Sequence, residues 1–110
     1  MRVSPENLRV ASQAILVKLG MGDKSAQAAA KVLVATDLRG IDSHGVSMLR
    51  GYFNQFKEGS LNPNPTWTIL REAPATATVD GDQALGISIG AELMELAMDK
   101  ARKFGIGMVT

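Results

Sequence analysis

Four times in this sequence a run of apolar residues at helical spacing stops at glycine, and that punctuation most narrows the folds open to the chain. In the first run Leu8, Ala11, Ile15 and Leu19 share one helical face, with Ser4-Pro5-Glu6 before them and Gly20 and Gly22 after. A hydroxyl N-cap, a proline at the first helical position and an early carboxylate at the positive end of the dipole mark a helix start. Asp23 is expected to cap a second helix. Its early part, residues 26–30, is rich in small residues, of which Ala28, Ala29 and Ala30 let another backbone approach closely; Leu33 and Val34 continue its buried face, and Gly40 stops it. A third helix is expected just after Asp42-Ser43, with Val46, Leu49, Phe53 and Phe56 as its stripe and Gly59 at its end. The fourth starts near Ile87, turns Ile89, Leu93, Leu96 and Ala97 inward, and stops at Gly105.

Between the third and fourth runs the period changes. Ser60-Leu61-Asn62-Pro63-Asn64-Pro65 is a loop by composition. Trp67 and Ile69 alternate with threonines, and residues 75–79 alternate again up to the turn signal Asp80-Gly81, so two short strands are expected. Ile106-Gly107-Met108-Val109-Thr110 reads as the opening of a buried third strand, and a stop inside it gives the expectation that the sequence is a fragment of a longer chain. The fold class is therefore α/β and mostly helical, with two or three short strands. Residues 1–60 are expected to form a helical domain and residues 61–110 the start of a mixed α/β domain.

Several function classes find no support. A net charge of +1, with Lys and Arg interspersed among Asp and Glu, provides no basic field for nucleic acid. Without cysteine there is no disulfide framework and no thiolate zinc site, and one histidine among scattered carboxylates makes no metal-ligand cluster. No apolar run approaches the roughly 20 residues that span a bilayer, and the N-terminus lacks the apolar core of a signal peptide. A cytoplasmic location is the expectation. At 110 residues the chain has a thin stability margin on its own.

The chemistry-bearing residues gather at one helix junction. His44, the only histidine, lies in Asp42-Ser43-His44-Gly45; Asp37 and Arg39 precede it, and Arg50 and Tyr52 follow. Imidazole donates or accepts a proton near neutral pH, and guanidinium forks onto a carboxylate. On spacing alone a second reading stays open, in which His44 is a surface or capping residue and Asp42 and Ser43 are caps. Gly81, Gly86 and Gly90 follow a strand and open a helix. Their spacing fits neither phosphate-binding glycine motif, and a turn, a helix entrance and a packing contact account for them.

The run Asp37-Leu38-Arg39-Gly40-Ile41-Asp42-Ser43-His44-Gly45-Val46 resembles the signature of the type-2 malate/L-lactate dehydrogenase family. The resemblance extends over residues 3–8, 52–59, 75–86 and 105–109. It implies a non-Rossmann fold, a homodimer, and NAD- or NADP-dependent interconversion of 2-hydroxy and 2-keto acids, with the cofactor bound mainly by sequence beyond this chain. His44 matches the family's proton donor, Ser43 a position near substrate or cofactor, and Tyr52 a residue of the pocket wall. Many members carry an arginine four residues after the histidine, where it holds the substrate carboxylate. Here that position is Met48, and the nearest arginine, Arg50, lies about 200° further round an ideal helix. The rival reading is a non-catalytic helical dimerisation or docking module. If the dehydrogenase reading holds, the 110-residue chain alone should not oxidise NADH or NADPH in the presence of a 2-keto acid. Measurable loss of nicotinamide absorbance with the pure chain would overturn that expectation.

Overall fold

Local sequence chemistry starts each element of the fold, and side-chain size decides how the elements meet. The computed structural model describes residues 2–110. In chain order the elements are α1 (Pro5–Lys18), α2 (Asp23–Leu38), α3 (Leu49–Glu58), β1 (Thr68–Glu72), β2 (Thr76–Asp80), α4 (Gly86–Phe104) and β3 (Met108–Val109). Two single 3-10 turns, Asp42–His44 and Val46–Met48, join α2 to α3.

Ser4 caps α1 as its sequence demands, its Oγ accepting the Asn7 N–H at 3.1 Å. The buried face is turned from the expected one: Ser12 and Leu16 are buried with Leu8 and Leu19 beside them, while Ala11 and Ile15 are exposed. Ser12 can occupy that face because its hydroxyl donates to the Leu8 carbonyl at 2.7 Å and brings no unpaired polar atom inside. Asp23 is the first residue of α2 and not its cap, which is Gly22. Its carboxylate instead accepts from Gln13 of α1 at 2.9 Å. Along α2, Ala26, Ala29 and Ala30 are fully buried. Ala26 and Ala29 share one cluster with Leu16, Met21, Leu33, Leu49 and Leu85, and Leu19, Val46, Met48, Tyr52, Phe56, Leu61 and Ile87 pack around it.

The third helix begins later than the sequence pattern implies. The 3-10 turns occupy residues 42–48, and regular α-helix starts at Leu49. Its inward residues are Leu49, Tyr52 and Phe56, whereas Phe53 is exposed with the Lys57 ammonium 5.2 Å from its ring. A start three residues into the apolar run shifts the face, so that Tyr52 takes the inward place expected of Phe53. Gly59 ends α3 at φ +76°, a left-handed conformation that costs a residue with a Cβ.

The sheet has the order β1-β2-β3. β1 pairs antiparallel with β2, with an irregularity between Ile69 and Arg71, and β2 pairs parallel with β3 across the α4 crossover. The third strand is not buried as the sequence reading expected: Met108 is exposed and Val109 half-buried, because β3 pairs with β2 on one edge and packs on α4 alone. α4 also differs from its expected all-apolar inner face. Lys100 is only 7% exposed, and its ammonium donates to Glu72 Oε1 at 2.7 Å and to the Ala73 carbonyl at 3.0 Å. Those two acceptors compensate the desolvation of the charge and fasten α4 to the β1–β2 turn. Among the described residues, no helix is long and apolar enough to cross a membrane.

The closest backbone approach lies where the chain leaves α4 for β3. A Cβ at Gly107 would overlap the Ala97 carbonyl and stand 2.9 Å from the Ala101 nitrogen, whereas one at Gly51 in α3 meets nothing within 4 Å. Gly107→Ala should therefore destabilise the fold by about 1–3 kcal/mol through overpacking. Gly51→Ala should stabilise it by about 0.5–1 kcal/mol through helix propensity. Urea denaturation of the two variants checks both signs.

Candidate functional site

The site is built on the connection between α2 and α3. α2 ends at Leu38, and Gly40 takes φ +76° just beyond it. The chain then closes its first 3-10 turn, in which the His44 N–H donates to the Ile41 carbonyl at 3.0 Å. Gly45 is buried and separates this turn from the next, where the Met48 N–H donates to the Gly45 carbonyl at 3.0 Å. Ser47 Oγ donates to the Asp42 carbonyl at 2.6 Å and ties the two turns together. From the last turn of α2, Asp37 reaches across: its Oδ2 accepts the Val46 N–H at 3.0 Å. The same carboxylate fills the space that a Cβ at Gly45 would need.

On this connection the structure brings together two of the four expected site residues. Ser43 Oγ lies 2.9 Å from His44 Nδ1, with both side chains on the exposed side of the turn. In neutral imidazole the direction of that hydrogen bond follows the tautomer; in imidazolium the Nδ1–H donates to the serine oxygen. Nδ1 is engaged in either state, which leaves Nε2 as the nitrogen for a ligand's proton.

Arg50 and Tyr52 are not joined to that pair. Arg50 sits in the first turn of α3, exposed, and its guanidinium makes no ion pair or hydrogen bond among the described residues. Tyr52 is half-buried against the core, and burial pushes its phenol above the ordinary value of 10.0. Met48, four residues after the histidine, also packs on the core. Positions 44 and 48 do not lie on one regular helix, as a third helix starting just after Asp42-Ser43 would have had them: Gly45 breaks the path between them, and the turns on either side have 3-10 geometry. The tie from Asp37 is what sequence reasoning missed. A carboxylate eight positions before a glycine that adjoins the histidine was its only written signal.

Other places a ligand could sit are less well furnished. Among the described residues no group of three or more His, Cys, Asp and Glu side chains could hold a metal ion. A depression of about 520 Å³ lies between the β1–β2 turn and α4, lined by Pro74, Leu96, Lys103 and Phe104 among others, and by none of the histidine-turn residues. A Cβ at Gly81 would stand 3.5 Å from the Ile89 Cδ1 methyl, while one at Gly86 or Gly90 would meet nothing within 4 Å.

The model of a family described as malate/L-lactate dehydrogenase matches residues 3–110. The chain is 40% identical over 109 residues to the L-sulfolactate dehydrogenase of Methanocaldococcus jannaschii, covering 99% of this chain and 32% of that protein. It is 44% identical over 95 residues to a malate dehydrogenase of Pyrococcus abyssi, covering 86% of this chain and 26% of that protein. The solved structure of malate dehydrogenase from Pyrococcus horikoshii superposes with a TM-score of 0.94 at 39% identity, covering 99% of this chain and 31% of that one. The chain thus spans about a third or less of the length of these relatives.

The packing of Tyr52 gives a direct optical test, since it is the single tyrosine of the chain. Its phenol should titrate above 10.0 in the folded protein. A raised value means that the protonated form is favoured in the fold, so this contribution is intact below 10.0 and is lost as pH rises through the folded value. Phenolate absorbance followed against pH, native and in denaturant, should show the native midpoint higher; coincident midpoints would place the ring in solvent.

Proposed function

The chain belongs to the malate/L-lactate dehydrogenase family, and from that membership we propose that it supplies the proton-donating wall of an NAD(P)-dependent oxidoreductase interconverting 2-hydroxy and 2-keto acids. The observation that carries this reading is the Ser43–His44 pair on its tied turn, with Nδ1 engaged at 2.9 Å and Nε2 left for a substrate. Relatives named for malate and sulfolactate, both 2-hydroxy acids, support the substrate class.

Reducing a 2-keto acid adds a hydride to the carbonyl carbon and a proton to its oxygen. A nicotinamide nucleotide supplies the hydride when bound. From the family membership, NAD or NADP would be held mainly by other sequence of the protein. This chain's share is the proton. As negative charge develops on the oxygen, the His44 imidazolium releases its Nε2 proton to it, while Ser43 Oγ accepts from Nδ1–H and keeps the ring in place. In the reverse direction neutral His44 takes the hydroxyl proton. Arg50, exposed near the start of α3, is the candidate partner for the substrate carboxylate. Tyr52 would present its phenol at the pocket wall from the edge of the core.

The same reading divides the chain into a helical part, residues 1–60, that carries the donor, and a mixed part, residues 61–110. It places the whole protein in the cytoplasm as a homodimer acting on small acids. The test uses the protein at the full length of its relatives. His44→Gln should lower kcat for 2-keto acid reduction by roughly 10²–10⁴-fold, the usual worth of a general acid, with the melting temperature unchanged. Turnover equal to that of the unmutated enzyme would remove the proposal.

A further inference from the structure

We propose that Asp37 is the positioning residue for His44, holding the histidine turn in place through Val46 and Gly45; this rests on the reading of His44 as proton donor. Asp37 lies in the last turn of α2, where a carboxylate faces the negative end of the helix dipole and opposes helix stability. Its place is explained by what it does beyond the helix. Oδ2 accepts the Val46 N–H at 3.0 Å across nine residues, a charge-assisted bond to the first residue of the second 3-10 turn. The carboxylate also takes up the room of a Cβ at Gly45, so that only glycine admits it there. His44 is therefore fastened on both sides. Its own N–H is bonded back to Ile41, and two residues later the Val46 N–H is bonded back to α2.

Ser43 orients the ring, but a hydroxyl two bonds from its own backbone orients nothing unless that backbone is fixed. Ile41, Asp42, Ser43 and His44 are all exposed, so polar bonds and not apolar packing hold this stretch: Ser47 ties one turn to the other, the Ile41 N–H donates to the Thr36 carbonyl of α2 at 3.2 Å, and Asp37 is the side chain of α2 that holds the second turn. Without the carboxylate, the Val46 N–H would lose its partner and the turns could shift relative to α2. Misplacing a catalytic group by about an ångström costs on the order of 10²-fold in rate.

The test is a double-mutant cycle in the protein at the full length of its relatives, reading kcat and KM for a 2-keto acid under single-turnover and steady-state conditions. Asp37→Ala should lower kcat by roughly 10²-fold with little change in KM. It should cause no further loss in a His44→Gln background, since a residue acting through His44 has nothing to position once the imidazole is gone. Asp37→Asn should restore most of the loss, its amide oxygen still accepting the Val46 N–H. Gly45→Ala, which displaces the carboxylate without removing it, should reproduce the Asp37→Ala pattern and decides the matter if Asp37→Ala does not fold. Equal losses in both backgrounds, or kcat unchanged in Asp37→Ala, would overturn the proposal by making Asp37 a general support of the fold or an idle residue. Full turnover in His44→Gln alone would show instead that the proton-donor reading has failed.

Discussion

The contact between α1 and α2 sets the positions of nearly everything else. Ala26 and Ala29 place only a methyl group between α2 and the cluster around Leu16 and Met21, so the helices can approach closely. Leu33 then carries the core toward Leu49, and the start of α3 docks there. Helix propensity alone would leave a chain of this length with marginal helices. Burial of these faces is what makes them stable, so the small-residue seam comes before both the junction and the sheet.

At the junction the constraint becomes polar. Two helices whose ends are fixed by the core must be joined through residues 39–48, and the chain does so with two 3-10 turns hinged at a buried glycine. The turns leave backbone groups that regular helix would have satisfied. Asp37 and Ser47 take up two of the resulting demands, one from the Val46 N–H and one on the Asp42 carbonyl. The outcome is an exposed Ser43–His44 pair on a turn tied back to α2.

Much of this was legible in the residue order, and the failures share a cause. Ser4 as a cap, Gly40, Gly59 and Gly105 as stops, the loop at residues 60–65 and two strands ahead of α4 all follow from local chemistry, where a residue and its near neighbours decide the conformation. The errors fall where packing or a particular bond overrode the apolar pattern. Ser12 replaced Ala11 on the buried face because its hydroxyl could bond within α1 while its small side chain fitted the helix pair. Lys100 entered the inner face of α4 because Glu72 and Ala73, more than two dozen residues earlier, were there to receive it. Tyr52 displaced Phe53 from the core because α3 began at Leu49, a register set by the turns before it.

The candidate site divides along the same line. The sequence by itself determined the chemistry on offer: one imidazole beside one hydroxyl, a glycine after it, arginines nearby, no cysteine, and a run distinctive enough to resemble one enzyme family. These are matters of composition and adjacency, which no folding step changes. Only the tertiary structure decided which of them meet. It joined Ser43 to His44, drew Met48 and Tyr52 onto the core, left Arg50 exposed, and brought the Asp37 carboxylate against Gly45 and Val46. The physical reason is that a hydrogen bond across nine residues depends on the angle at which one helix leaves and the next begins. Packing of the whole core sets that angle, and no local run of residues encodes it.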